Sequence, residues 1–100
     1  MTVYCIALIC IADRERYSVY EQGFMEIFNR YGGTLLAVDE TPMVKEGDWP
    51  HTRTVLASFP NSIVFEAWFG SPEYQTLAKH RHAASTGSIA LIKGLPSPTG

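Results

Sequence analysis

Arg53 opens an apolar segment directly behind the turn Glu46-Gly47-Asp48-Trp49-Pro50-His51. A guanidinium is costly to bury alone, so it needs Asp48, Glu46 or an anionic ligand beside it. Two readings follow, an Arg–carboxylate pair that pins the turn or a clamp for an anion. Trp49 poses a parallel choice, because an indole in a polar loop needs a partner subunit to pack on or a ligand to stack against. His51 is either a solvated loop residue or a general base, and His80 either a surface helix position or a second base. Tyr17, Tyr20 and Arg81 complete a polar and aromatic set that can converge on one cleft. The catalytic candidates are thus His51 and His80, and the ligand-binding candidates Tyr17, Asp48, Trp49, Arg53 and Arg81.

Other chemistries find little support. His80 and His82 are two residues apart, which on a helix turns them about 200° from each other, so they cannot share an ion. His51 is distant, there is no H-x-x-x-H or C-x-x-C spacing, and no metal is expected. A haem would have His80 alone to speak for it, and no cofactor is expected. Gly32-Gly33 follows a helical pattern instead of opening one, which suits a helix C-cap and not a phosphate cradle. No G-x-S-x-G elbow is present, and neither cysteine precedes a helix. Cys5 and Cys10 on one strand lie about 17 Å apart and face opposite ways, so they do not bridge each other.

The whole chain sets these groups in context. One hundred residues make one domain, with 46% hydrophobic and only 18% charged residues. That is too little charge to coat every face of a small protein, and a second subunit is expected to cover some apolar surface. A net charge of −2 with eight scattered Lys and Arg leaves no footprint for nucleic acid. The apolar run Val3 to Ala12 lacks a basic flank and a cleavage pattern and is too short to span a bilayer, so it reads as a buried strand of a cytoplasmic protein.

Both alternating sets of that first strand are apolar, Val3, Cys5, Ala7 and Ile9 against Tyr4, Ile6, Leu8 and Cys10, so both its faces should be covered. Asp13 caps a helix striped by Tyr17, Tyr20, Phe24, Ile27, Phe28 and Tyr31, stopped at Gly32-Gly33. Strands follow over Thr34 to Thr41 and Thr52 to Phe59. A second helix starts at Asn61 or Ser62, breaks at Gly70, restarts at Ser71-Pro72-Glu73 and runs to about Ala84. Gly87 is expected to end it and Ser88 to Lys93 to form the last strand. This order, βαββαβ, predicts an α+β ferredoxin-like domain over 1–95 with a tail at 96–100. Both helices cover one face of a four-stranded antiparallel sheet, and a second copy laid on the open face gives a dimeric α/β barrel.

Tyr31-Gly32-Gly33, the turn Glu46 to Pro50 with Arg53, Phe59-Pro60, and Ala67-Trp68 followed by Ser71-Pro72-Glu73-Tyr74-Gln75 together resemble the DUF1330 family across nearly the whole chain. Ile63-Val64 departs from that pattern, which favours more polar helix formers there. The resemblance implies the dimeric α/β-barrel superfamily and a homodimer, and brings no established reaction. The expected function is binding of a small aromatic or carboxylated metabolite in a cleft lined by Trp49, Arg53 and His80, with a cofactor-free isomerisation or oxidation there. The alternative is a non-catalytic module in which Trp49 and Arg53 fix the dimer or dock another protein.

Overall fold

A computed structural model of the chain describes residues 1–96; the tail expected at 96–100 lies, apart from Pro96, outside them. Strand β1 (Val3–Ile11) leads into helix α1 (Arg14–Phe28), whose first turn is capped by Asp13 accepting from the Arg16 N–H. A 3-10 turn over Asn29–Tyr31 ends at Gly32, whose φ of 79° is a left-handed conformation that a residue with a Cβ resists. Strands β2 (Thr34–Asp39) and β3 (Arg53–Phe59) follow. Helix α2 (Ser62–Phe69) is capped by Asn61 and helix α3 (Pro72–Ala84) by Ser71, and β4 (Ser85–Lys93) closes the sheet. The break between α2 and α3 falls at Gly70, and the β-branched Ile63 is tolerated at the start of α2 because it points to solvent.

The sheet order is β2-β3-β1-β4 and every pairing is antiparallel. This is the α+β ferredoxin-like architecture, with β1 between β3 and β4, one of its apolar sets toward the helices and the other, Tyr4, Ile6 and Leu8, half-buried on the open face. Gly87 corrects one expectation. The last helix ends at Ala84 without a glycine, and Ser85 goes directly into extended backbone while its hydroxyl donates to the Arg81 carbonyl. Gly87 lies inside β4 opposite Ile9, where a Cβ would come within 2.3 Å of the Leu8 carbonyl oxygen. The glycine serves close approach of two backbones, and β4 is three residues longer at its start than its side-chain pattern suggests.

Strand alternation assigns Cys5, Ala7 and Ile9 of β1 and Arg53, Val55 and Ala57 of β3 to the helix side, since each pair lies in register. At one end the layers are welded by rings: Phe28, Phe59, Phe65 and Trp68 pack edge-on or stacked with centroids 5.3 to 5.8 Å apart. At the other end the helices stand off the sheet. The space between α1, α3 and the sheet is a cavity of about 220 Å³.

Candidate ligand site in the cavity between helices and sheet

Helix α3 carries Tyr74, Ala78 and Arg81 at spacings of four and three, and all three are buried. Arg81 is therefore driven inward by the register that Ser71 and Pro72 set at the start of the helix. It is 9% exposed and lines the cavity. Its guanidinium carbon lies 5.8 Å from the centre of the Tyr20 ring, a cation–π distance, and one terminal nitrogen lies 3.2 Å from Nε2 of His82. No carboxylate pairs with it among the described residues, and its Nε has no hydrogen-bond partner. Burying a guanidinium with no counter-charge costs on the order of several kcal/mol in desolvation.

Arg53 reaches the same cavity from β3, over Tyr17 at 5.7 Å, but its charge is answered. One terminal nitrogen is 3.2 Å from Glu40 and the other 3.4 Å from Glu21. The expected partners Asp48 and Glu46 are not the ones used. Thr52 supplies the reason: its N–H donates to the Ile9 carbonyl and its hydroxyl accepts from the Ile11 N–H, so Arg53 starts the helix-facing register of β3 and leaves the turn behind. Glu40 also takes two hydrogen bonds from Arg14, at 3.0 and 2.8 Å, and those bonds, ahead of Arg53's, hold its carboxyl below the usual range. An ion-pair chain Arg14–Glu40–Arg53–Glu21 thus ties the adjoining end of β2 and start of β3 to α1.

The remaining walls are weakly polar or apolar. Tyr20 and Tyr74 share a hydrogen bond of 2.8 Å, and burial above all pushes the Tyr20 hydroxyl well above its ordinary pKa. Burial also raises Tyr17, with Arg53 pulling the other way, and lifts the Cys5 thiol to about 11 against the pull of Arg81. These groups are neutral at physiological pH and serve as donors and packing surface. Phe24, Phe28 and Trp68 close the far end. The cavity thus has a cationic end at Arg81 and an aromatic end at Trp68.

Of the residues expected to share one cleft, Tyr17, Tyr20, Arg53 and Arg81 line this cavity. Trp49 and His51 stand on the opposite side of the sheet. The Trp49 indole N–H donates to Thr54, the residue after Arg53, which alternation turns away from the helices. Trp49 is 41% exposed, with the His51 ring edge-on to it at 5.4 Å and Cys10, also on the open face, 4.0 Å from Nδ1 of His51. Asp48 is exposed in the same loop. His80 is half-buried on α3 outside the cavity lining, and its Nδ1 has no partner. Of the trio Trp49, Arg53 and His80, only Arg53 therefore lines the cavity. Glu21, Tyr74 and Trp68 were not anticipated in it. Glu21 lies one turn beyond Tyr17 and Tyr74 lies two turns before Arg81, so helical spacing carried that signal.

Among the described residues no three His, Cys, Asp or Glu side chains converge as a metal site, and no helix is long and apolar enough to cross a membrane. A four-stranded antiparallel sheet with helices on one face, enclosing a cavity between the layers, defines a protein of the α+β ferredoxin-like class. Residues 2–95 match the family described as a domain of unknown function (DUF1330), and the chain belongs to that family. No curated protein matches the sequence. Among solved structures it is similar to the RPA0582 protein of unknown function from Rhodopseudomonas palustris, at 19% identity and a TM-score of 0.81 over 96% of this chain and 84% of that one. It is also similar to SnoaB, a cofactor-independent oxygenase from Streptomyces nogalater, at 17% identity and a TM-score of 0.68 over 99% and 98% of the two chains. A third neighbour is described as a putative antibiotic biosynthesis monooxygenase from Caulobacter crescentus, at 11% identity and a TM-score of 0.63 over 95% and 91%. At these identities the likeness is one of fold.

Proposed function

We propose that this protein binds a small aromatic acid as its anion in the cavity between helices and sheet, and carries out a cofactor-free oxidation or isomerisation on it. The observation that carries the reading is Arg81, a buried guanidinium without a carboxylate among the described residues, at one end of an otherwise apolar cavity. A charge kept in such a place at a cost to stability is a site residue by default. Both reactions, the oxidation with dioxygen as co-substrate and oxidant, begin with loss of a proton from the bound acid, and Arg81 serves each by holding the carboxylate in place. Glu21, on the cavity wall and exposed to solvent, is the carboxylate available to take that proton. The oxygenase and monooxygenase names among the structural neighbours agree with this choice of chemistry.

The test is calorimetric titration of benzoate into the wild-type protein and into Arg81→Met. Binding by the wild type that the variant loses, with the fold intact by circular dichroism, supports the reading. Equal binding by both, or none by either, overturns it.

We further propose that two copies pair through the open face. Tyr4, Ile6, Leu8, Leu56, Ala90 and Ile92 alternate away from the helices on adjacent strands and present a continuous apolar surface. Light scattering at micromolar concentration should return a mass of about twice 11.1 kDa. A monomer there contradicts it.

A further inference from the structure

The cavity is open to solvent, and three of its lining residues mark where. Most of the lining is buried, Arg81, Tyr17 and Phe28 among it. Met25, by contrast, is 41% exposed, Val38 40% and the Glu21 side chain 42%. Glu21 and Met25 are one turn apart on α1, and Val38 lies on β2, an edge strand of the sheet. The mouth is therefore the gap between α1 and β2. Arg81 stands away from it. It lies over Tyr20, which bonds to Tyr74 of α3 and sits about 100° round the helix from Glu21.

The floor between the mouth and the arginine is a single row of side chains. Val38 of β2 is in register with Val55 of β3, Val55 with Ala7 of β1, and Ala7 with Ile89 of β4, and all four line the cavity. Neighbouring strands lie about 4.8 Å apart, so the row is about 14 Å long. One ring with its acid group does not cover it. With the acid held by Arg81, a ligand of that size would leave the apolar floor near the mouth in contact with water. The lip itself is apolar, because Glu21 is paired with Arg53 at 3.4 Å and Met25 and Val38 present thioether and methyl groups. Resting on the reading above, we infer that the ligand is an amphipathic monoacid, an aromatic acid carrying an apolar extension opposite its acid group. The carboxylate lies against Arg81, and the extension runs along the row and leaves between Met25 and Val38. These two residues thereby select among aromatic acids for the extended ones.

The probes are benzoate, 4-butylbenzoate and the uncharged 4-butylbenzyl alcohol, titrated calorimetrically into the wild-type protein and into the double variant Met25→Gln with Val38→Thr. Each methylene group taken out of water is worth about a factor of four. The expected result is that 4-butylbenzoate binds at least about tenfold more tightly than benzoate and than the alcohol, and that its advantage over benzoate shrinks about threefold or more in the double variant. The chain has three methionines, and the Met25 methyl signal, assigned by its loss in Met25→Gln, should shift with 4-butylbenzoate and stay in place with benzoate. Equal or weaker binding of 4-butylbenzoate, beside benzoate that still needs Arg81, overturns this inference and leaves the anion site standing. An advantage undiminished in the double variant, or a Met25 signal that does not move, overturns the placing of the extension at the mouth. Alcohol that binds as tightly as its acid, or failure of both acids to bind, sinks this inference and the functional reading together.

Discussion

If Arg81 is held for a ligand, the protein without ligand should be more stable when Arg81 is removed. Arg81→Met keeps the length and packing of the side chain and deletes a buried charge that no carboxylate answers among the described residues. Replacing buried charged groups by apolar residues of similar volume gains about 1–4 kcal/mol. Against this, the contact with Tyr20 is lost, worth about 1 kcal/mol, and so is the hydrogen bond to His82, worth about 1 kcal/mol. Because the charge is unpaired the upper half of that range applies, the net is a gain on the order of 0.5–2 kcal/mol, and in a domain of this size each kcal/mol raises Tm by about 4–8 °C. Thermal unfolding followed by circular dichroism, with urea titration to check that the m-value is unchanged, reads the effect. An arginine with a structural role behaves in the opposite way. A Tm several degrees below wild type, at unchanged m, refutes the assignment of Arg81 as a group kept at a cost to stability.

Three other perturbations test the surroundings. Tyr20→Phe leaves the buried Tyr74 hydroxyl without its partner and should cost about 1–3 kcal/mol, while Tyr20→Phe with Tyr74→Phe should recover most of the loss; chemical denaturation of the cycle measures both. Glu40 has its carboxyl pKa depressed by Arg14 and Arg53, so its contribution is present above the unfolded value near 4.5 and is lost as pH falls through the lower folded value. Urea midpoints at pH 7 and pH 3 should therefore differ less in Glu40→Gln than in wild type. The Cys5 thiol, buried and raised to about 11, should stay unmodified by iodoacetamide at pH 8 in the folded protein, as peptide mass mapping will show.

Much of the fold was legible in the side chains because each element announces itself locally. Asp13 and Ser71 cap helices, the Tyr17–Phe28 stripe faces the core, and β1 reads apolar on both faces, one turned to the helices and the other to the open side of the sheet. Gly87 was misread for a physical reason: a glycine after a helix resembles a stop signal, whereas here it makes room for the neighbouring strand's backbone. The site was legible only in part. Arg53 and Trp49 are close in sequence, yet Trp49 bonds to Thr54, and one step along a strand exchanges the helix side for the open side. Arg81 drew attention as a charged neighbour of His80, but its burial depends on the phase of α3 against the sheet. The pairing of Arg53 with Glu21 and Glu40 joins residues from α1, the end of β2 and β3, a convergence that only the tertiary structure brings about.

The most direct test of the central claim is the side-chain Nε–H signal of Arg81 in a ¹H–¹⁵N spectrum, assigned by its loss in Arg81→Met, as benzoate is added. A guanidinium that gains a carboxylate should move this signal downfield, saturating with the same affinity that calorimetry gives. Saturating binding that leaves this signal in place contradicts the account, because the anion would then be held elsewhere.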